Sequence, residues 1–397
     1  MEAYILEYLN FAIRWLHMIA GIAWIGASLY FVWLDSSLRP PTDQPSQDIG
    51  IGGEVWALHG GGFYRAQKFK VAPPELPNPL HWFKWEAYVT WLSGFALLVL
   101  MYYVQAEVYL IDKSVMDLTP VAAVSAGLGC LAISWIVYEL MCRSSLGDNE
   151  PVLASILFVL LALLAYGLTQ MYSGRGAFIH FGAVIGTIMV ANVFFVIIPG
   201  QKEMVKAKQE GRAVDPKHGL WGKQRSVHNT YFTLPVLFVM VSNHYAGFTN
   251  HQHAWAILMA ISLAGALIRL YSVMSHRGEK RPMLWIAGYG ILIALFIALF
   301  PKPVDPSTTA TVKFAAVKQV IDARCAGCHA AKPTFAGFAA PPKNVMLESP
   351  EQIRTQAQAI HQQTVVARAM PIGNLTNITD HERSLIANWF AQGAKVE

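Results

Sequence analysis

The chain has 397 residues, of which 54% are hydrophobic and only 14% charged, against roughly 25% charged residues in an average soluble protein. With a mean hydropathy of +0.37, that composition excludes an ordinary soluble enzyme and a disordered chain. The formal net charge of +5 makes no case for nucleic acid, because membrane proteins commonly gather Lys and Arg in their cytoplasmic loops.

The N-terminal stretch "MEAYILEYLNFAIRW" has neither a basic n-region nor a small-residue cleavage site, so the first apolar run is expected to stay as an anchor. A helix needs about 20 mostly apolar residues to cross a bilayer. Eight such runs follow, near residues 9–34, 82–104, 119–142, 150–171, 177–198, 227–246, 253–274 and 283–300. The expected fold is all-α, an eight-span bundle over residues 1–300. A Pro- and Thr-rich linker, 301–312, leads to a small domain of ordinary polarity at 313–397. Connections after the odd-numbered spans hold most of the loop cations, among them Arg65, Lys68, Lys206, Arg212 and Lys280; those after spans two, four and six hold only Lys113 and Arg175. That asymmetry predicts both termini, and the small domain, outside the cytoplasm. Spans one and five also echo each other, "HMIAGIAWIGASLYFVW" from His17 and "HFGAVIGTIMVANVFFV" from His180, as an internal repeat would.

Ionisable residues inside spans are costly and so are functional candidates. His17 and His180 fall toward the outer ends of spans one and five, and His81 and His228 toward the inner ends of spans two and six. Two bis-histidine b-type haems would use these pairs, with Arg14, one turn from His17, facing a propionate. The alternative is interfacial caps and packing residues. The first inner loop contains "GGEVWALHGGGFYRAQKFKVAP". Glu54, His59, Tyr64 and Arg65 cluster there beside three glycines, and together they offer a base, a stacking ring and a cation. A solvated loop covering the bundle is the other reading, and the glycines match no nucleotide-binding pattern.

Cys325-Ala-Gly-Cys328-His329 matches C-x-x-C-H, the c-type haem attachment pattern. Both thiols can add to the haem vinyl groups while His329 ligates the iron. A zinc or thiol-redox pair is the competing reading, and zinc wants four ligands. For the sixth iron ligand, Met370 in "RAMPIGNLT" is preferred over Met346 in "PPKNVMLESP", because Pro and Gly there hold an extended loop. A helix "TVKFAAVKQVIDA" should precede the motif, and "TDHERSLIANWFAQGA", N-capped at Thr379, should close the domain and lay Trp389 on the first helix.

The order of parts, with "RWLHMIAGIAWIGASLYFVWLD", "EVWALHGGGFYRAQKF", "LHWFKWEAYVTWLSGFALL" and the terminal CAGCH, resembles the bacterial membrane-bound urate oxidases, or urate hydroxylases, fused to cytochrome c. The resemblance implies oxidation of urate to 5-hydroxyisourate, with electrons passed to haem c and on to a periplasmic or membrane acceptor such as a cytochrome c or terminal oxidase. Hydrogen peroxide is then not the direct product. It also implies the bacterial inner membrane, a class I type cytochrome c domain, and Cys325, Cys328, His329 and Met370 as haem residues; it assigns no urate-binding residue. A site on the inner loop would lie a bilayer away from an outer haem c, and b haems would bridge that distance. A pocket near His244, His251 and His253 on the outer face would not need them. A transmembrane conduit carrying electrons from quinol or a partner dehydrogenase, and a transporter with a redox-sensing tail, are the other functional classes.

Overall fold

The computed structural model describes residues 2–300, 311–335 and 340–396, so most of the expected linker lies outside the described residues. Each of the eight apolar runs falls on a helix. They are α1 (Glu2–Ser37), α2 (Trp85–Leu98), α3 (Pro120–Arg143), α4 (Glu150–Thr169), α5 (Gly174–Ala191), α6 (Pro216–Ser242), α7 (Ala254–His276) and α8 (Pro282–Ala298). Among the described residues, six helical stretches are long and apolar enough to cross a membrane. Of the other two helices, α8 is apolar but has 17 residues, and α6 opens on a polar half that carries Lys217, Lys223, Arg225 and His228. Large apolar side chains on α1, α3, α4 and α8 face outward, among them Phe11, Ile22, Ile133, Leu163 and Phe296, a surface that water would not tolerate and lipid would.

The centre of the bundle is α5. Small residues, Gly176, Ala177 and Gly182, let its neighbours α2, α3, α4 and α6 approach closely, as helices do in lipid. A Cβ at Gly182 would lie 2.5 Å from Val239 on α6. Phe178, Phe181, Val184, Ile185 and Ile188 on α5 are buried against Leu110, Leu153, Leu168 and Tyr172.

The all-helical expectation is corrected at one place. The loop between α1 and α2 forms a two-stranded antiparallel hairpin, β1 (Ile51–His59) and β2 (Gly62–Phe69). Its two-residue turn, Gly60-Gly61, has φ of +57° and +80°, the left-handed backbone of a tight hairpin that glycine adopts without a Cβ penalty.

Past the linker, α9 (Phe314–Arg324) and α10 (Asp380–Ala391) pack around Val317, Val320, Ile321, Ile353, Ile386 and Trp389. Thr379 caps α10, and Glu382 returns the bond to the Thr379 N–H in a capping box. Trp389 lies 6.1 Å from Phe314, centroid to centroid. This C-terminal unit rests on the bundle's loops after spans two and six. Asn250 Nδ2 donates to the Arg368 carbonyl at 2.8 Å. Gly373, at φ +54°, comes so close that a Cβ there would lie 3.0 Å from the Val108 carbonyl oxygen.

Candidate functional site

In the C-terminal unit, α9 ends at Arg324 and the chain turns tightly, the Cys328 and His329 N–H groups both donating to the Cys325 carbonyl at 3.1 and 3.0 Å. That turn sets Cys325, Cys328 and His329 in the lining of a cavity that Met370, Pro371 and Ile372 also line. The His329 Nδ1 lies 2.9 Å from the Val345 carbonyl. A carbonyl only accepts, so Nδ1 carries the proton and Nε2 keeps its lone pair, the arrangement that orients a metal-ligating histidine. Burial, then the neighbouring Cys328, push the Cys325 thiol up to about 12. Among the described residues no cluster of three or more His, Cys, Asp or Glu is arranged to hold a metal ion. The residue types that line this cavity, two thiols, an imidazole and a thioether, are those a c-type haem would use, whereas zinc wants four ligands.

The histidines of the bundle fall into different surroundings. His180 on α5 is fully buried. Its Nδ1–H donates to the Gly176 carbonyl at 2.8 Å, which leaves Nε2 to accept from the Tyr103 hydroxyl at 3.2 Å. Gly127 makes room for that ring, since a Cβ there would lie 2.6 Å from Nε2. His17 is held similarly, its Nδ1 2.9 Å from the Thr90 carbonyl, but its Nε2 has no partner among the described residues. Arg14 is engaged by Asn10 Oδ1 at 3.0 Å and lies 2.9 Å from the Met101 sulfur. The His228 Nε2–H donates to Glu150 at 2.9 Å, so Nδ1 accepts from the Tyr138 hydroxyl at 2.7 Å. His81 is exposed against Phe83. No hydrogen bond or ring contact among the described residues joins His17 to His180 or His81 to His228.

Sequence reasoning missed the network behind His228. Asn192 donates to the Tyr138 oxygen at 3.1 Å and to Asn229 Oδ1 at 2.9 Å. The buried Arg225 lies 2.9 Å from the Glu139 carboxylate and 5.2 Å from the centre of the Tyr138 ring. The signal was present, since Glu139, Asn192, Arg225 and Asn229 interrupt or edge apolar runs.

On the hairpin, Glu54 and Arg65 come together while His59 and Tyr64 lie exposed. The Arg65 guanidinium bonds Glu54 at 2.5 Å and Asp43 at 2.7 Å, and Gln67 donates to the same Glu54 oxygen at 3.0 Å. Bonds from Gln67 and then Arg65 hold the Glu54 carboxyl below its usual range. Arg65 and Glu54 are thus engaged by each other and by Asp43 and Gln67.

A polar cleft of about 620 Å³ lies between the C-terminal unit and the bundle, lined by Tyr109, Arg175, His251, Arg368 and Arg383 among others. It shares Pro371 and Ile372 with the Cys325–His329 cavity.

A mostly helical chain with several apolar helices of spanning length is compatible with a membrane protein. More particularly, it belongs to the urate oxidase N-terminal family, whose model matches residues 3–300, the whole bundle with its hairpin. That membership points to an oxidoreductase of urate-related oxidation. No curated protein and no solved structure matches the chain.

Proposed function

We propose that the protein oxidises urate to 5-hydroxyisourate in a bacterial inner membrane, with residues 1–300 as an eight-span oxidation unit and 313–397 as a class I type cytochrome c domain outside the cytoplasm. The family match over the bundle supports the substrate. The observation that carries the rest is the convergence of Cys325, Cys328, His329 and Met370 on one cavity. The loops on which the C-terminal unit rests are the cation-poor ones, which supports an outer position.

The urate monoanion and one water give neutral 5-hydroxyisourate, one proton and two electrons. Bound at Cys325 and Cys328, a c-type haem would accept such electrons singly and hand them to a periplasmic or membrane acceptor, so hydrogen peroxide is not a direct product. Toward that group His329 would present Nε2, its ring fixed by the Val345 carbonyl, and Met370, in the lining of the same cavity, would offer its thioether. Haem b at the expected pairs would first require His180 or His228 to give up a hydrogen bond, whereas His17 has a nitrogen free.

The test is turnover by purified full-length protein with an external haem-protein acceptor. Two electrons should reach the acceptor per urate consumed, with 5-hydroxyisourate formed and no peroxide. Stoichiometric peroxide, or no consumption of urate, would overturn the reading.

A further inference from the structure

The interdomain cleft holds a cation that the fold itself does not need. Arg175 is the second residue of α5, half-buried in the cleft wall, and it makes no hydrogen bond or ion pair with any described residue. A positive charge in the first turn of a helix opposes the macrodipole, and a half-buried guanidinium without a carboxylate adds to that cost. Folding alone would favour a neutral side chain at this place.

The other charged side chains of the cleft already have partners. Arg368 pairs with Asp380 at 2.9 Å. Arg383 donates to the Thr364 carbonyl and, at 3.0 Å, to that of Met370. Asp112 turns onto Ser114, accepting from its N–H at 2.9 Å and its hydroxyl at 2.5 Å. Three arginines face two aspartates, and of the three only the Arg175 side chain has no hydrogen-bond or ion-pair partner among the described residues. His251 adds a neutral donor. Its Nδ1 accepts the His253 N–H at 3.1 Å, so the ring proton is on Nε2; burial, then His253, lower its pKa below the usual 6.5. The Tyr109 ring lines the same space. A volume of about 620 Å³ is that of a small-molecule site, and urate, a planar anion with three carbonyl oxygens, suits a cation, an N–H donor and an aromatic ring.

We propose that urate binds in this interdomain cleft with Arg175 as its counter-charge, next to the wall of Pro371 and Ile372 that it shares with the Cys325–His329 cavity. This placement rests on the urate reading above. It sets the substrate beside the c-type haem site, so electrons need not cross the bilayer and the hairpin is not the binding site.

The test compares the full-length, haem-loaded protein with Arg175→Gln and Arg175→Lys in lipid nanodiscs, measuring anaerobic urate affinity by equilibrium dialysis and the haem c spectrum and potential. R175Q should weaken urate binding roughly tenfold or more, R175K should regain part of it, and the haem should be unchanged. The charge on Arg175 opposes its own helix, so R175Q is expected to fold, and an intact haem spectrum checks that. Unchanged affinity in R175Q would overturn the proposal. A shifted haem potential with unchanged urate affinity would assign the charge to a haem propionate, and loss of binding in Arg65→Gln alone would return the site to the hairpin. Either result contradicts the cleft while leaving urate as substrate, whereas a wild-type protein that binds no urate contradicts both readings.

Discussion

At the scale of single residues, His329 and His17 are arranged alike: a backbone carbonyl takes the Nδ1 proton and Nε2 stays open. What separates them is company, since only His329 shares its cavity with two cysteines and a methionine. Met370 lies on that cavity, whereas Met346 is not part of its lining and is 37% exposed. Met370→Ala should therefore abolish the near-infrared sulfur-to-iron band of the oxidised protein and lower its haem potential, while Met346→Ala keeps both. Optical spectra and a redox titration decide the matter, and the reverse pattern would make Met346 the ligand. The C-x-x-C-H motif was legible because covalent attachment fixes its spacing. Arg175 was legible only as a loop cation, because the lack of a partner is a property of the folded neighbourhood.

At the scale of elements, hydropathy located every long helix of the bundle, since a 20-residue apolar run has few other destinations. It did not locate the hairpin. The residues of "GEVWALH" and "GFYRAQK" pair across Gly60-Gly61, a turn signal that in the sequence is masked by a third glycine and by the charges around it. The close contacts of α3 also escaped sequence reading. Gly127 and Gly129 look equivalent, yet a Cβ at Gly127 would meet His180 and Tyr103 at 2.6 and 2.9 Å, and one at Gly129 meets nothing within 4 Å. Gly127→Ala should cost about 1–3 kcal/mol through overpacking, whereas Gly129→Ala should be neutral or slightly stabilising. Thermal unfolding in detergent reads both, and equal behaviour would refute the packing of His180 against α3. In the C-terminal unit, Thr379→Ala removes the cap of α10 and should cost about 1 kcal/mol, with Thr379→Ser close to wild type. Denaturant unfolding followed by the haem band measures it, and an unchanged midpoint would contradict the capping box.

At the scale of the whole molecule, the bundle and the C-terminal unit meet through Asn250 and Arg368 and through the close approach of Gly373 to Val108. The family match ends at residue 300, yet the polar cleft of about 620 Å³ lies across that boundary and draws residues from both sides. No reading of either unit alone would have found it, because Arg175 and Arg368 are brought together only by docking. The central claim is that urate oxidation delivers its electrons to a haem within the same chain. It is tested most directly by mixing oxidised, purified full-length protein with urate under strictly anaerobic conditions and recording the α-band of haem c. The band of reduced haem c should rise without any added mediator, and 5-hydroxyisourate should form in proportion. A haem that dithionite reduces but urate leaves oxidised would contradict the account.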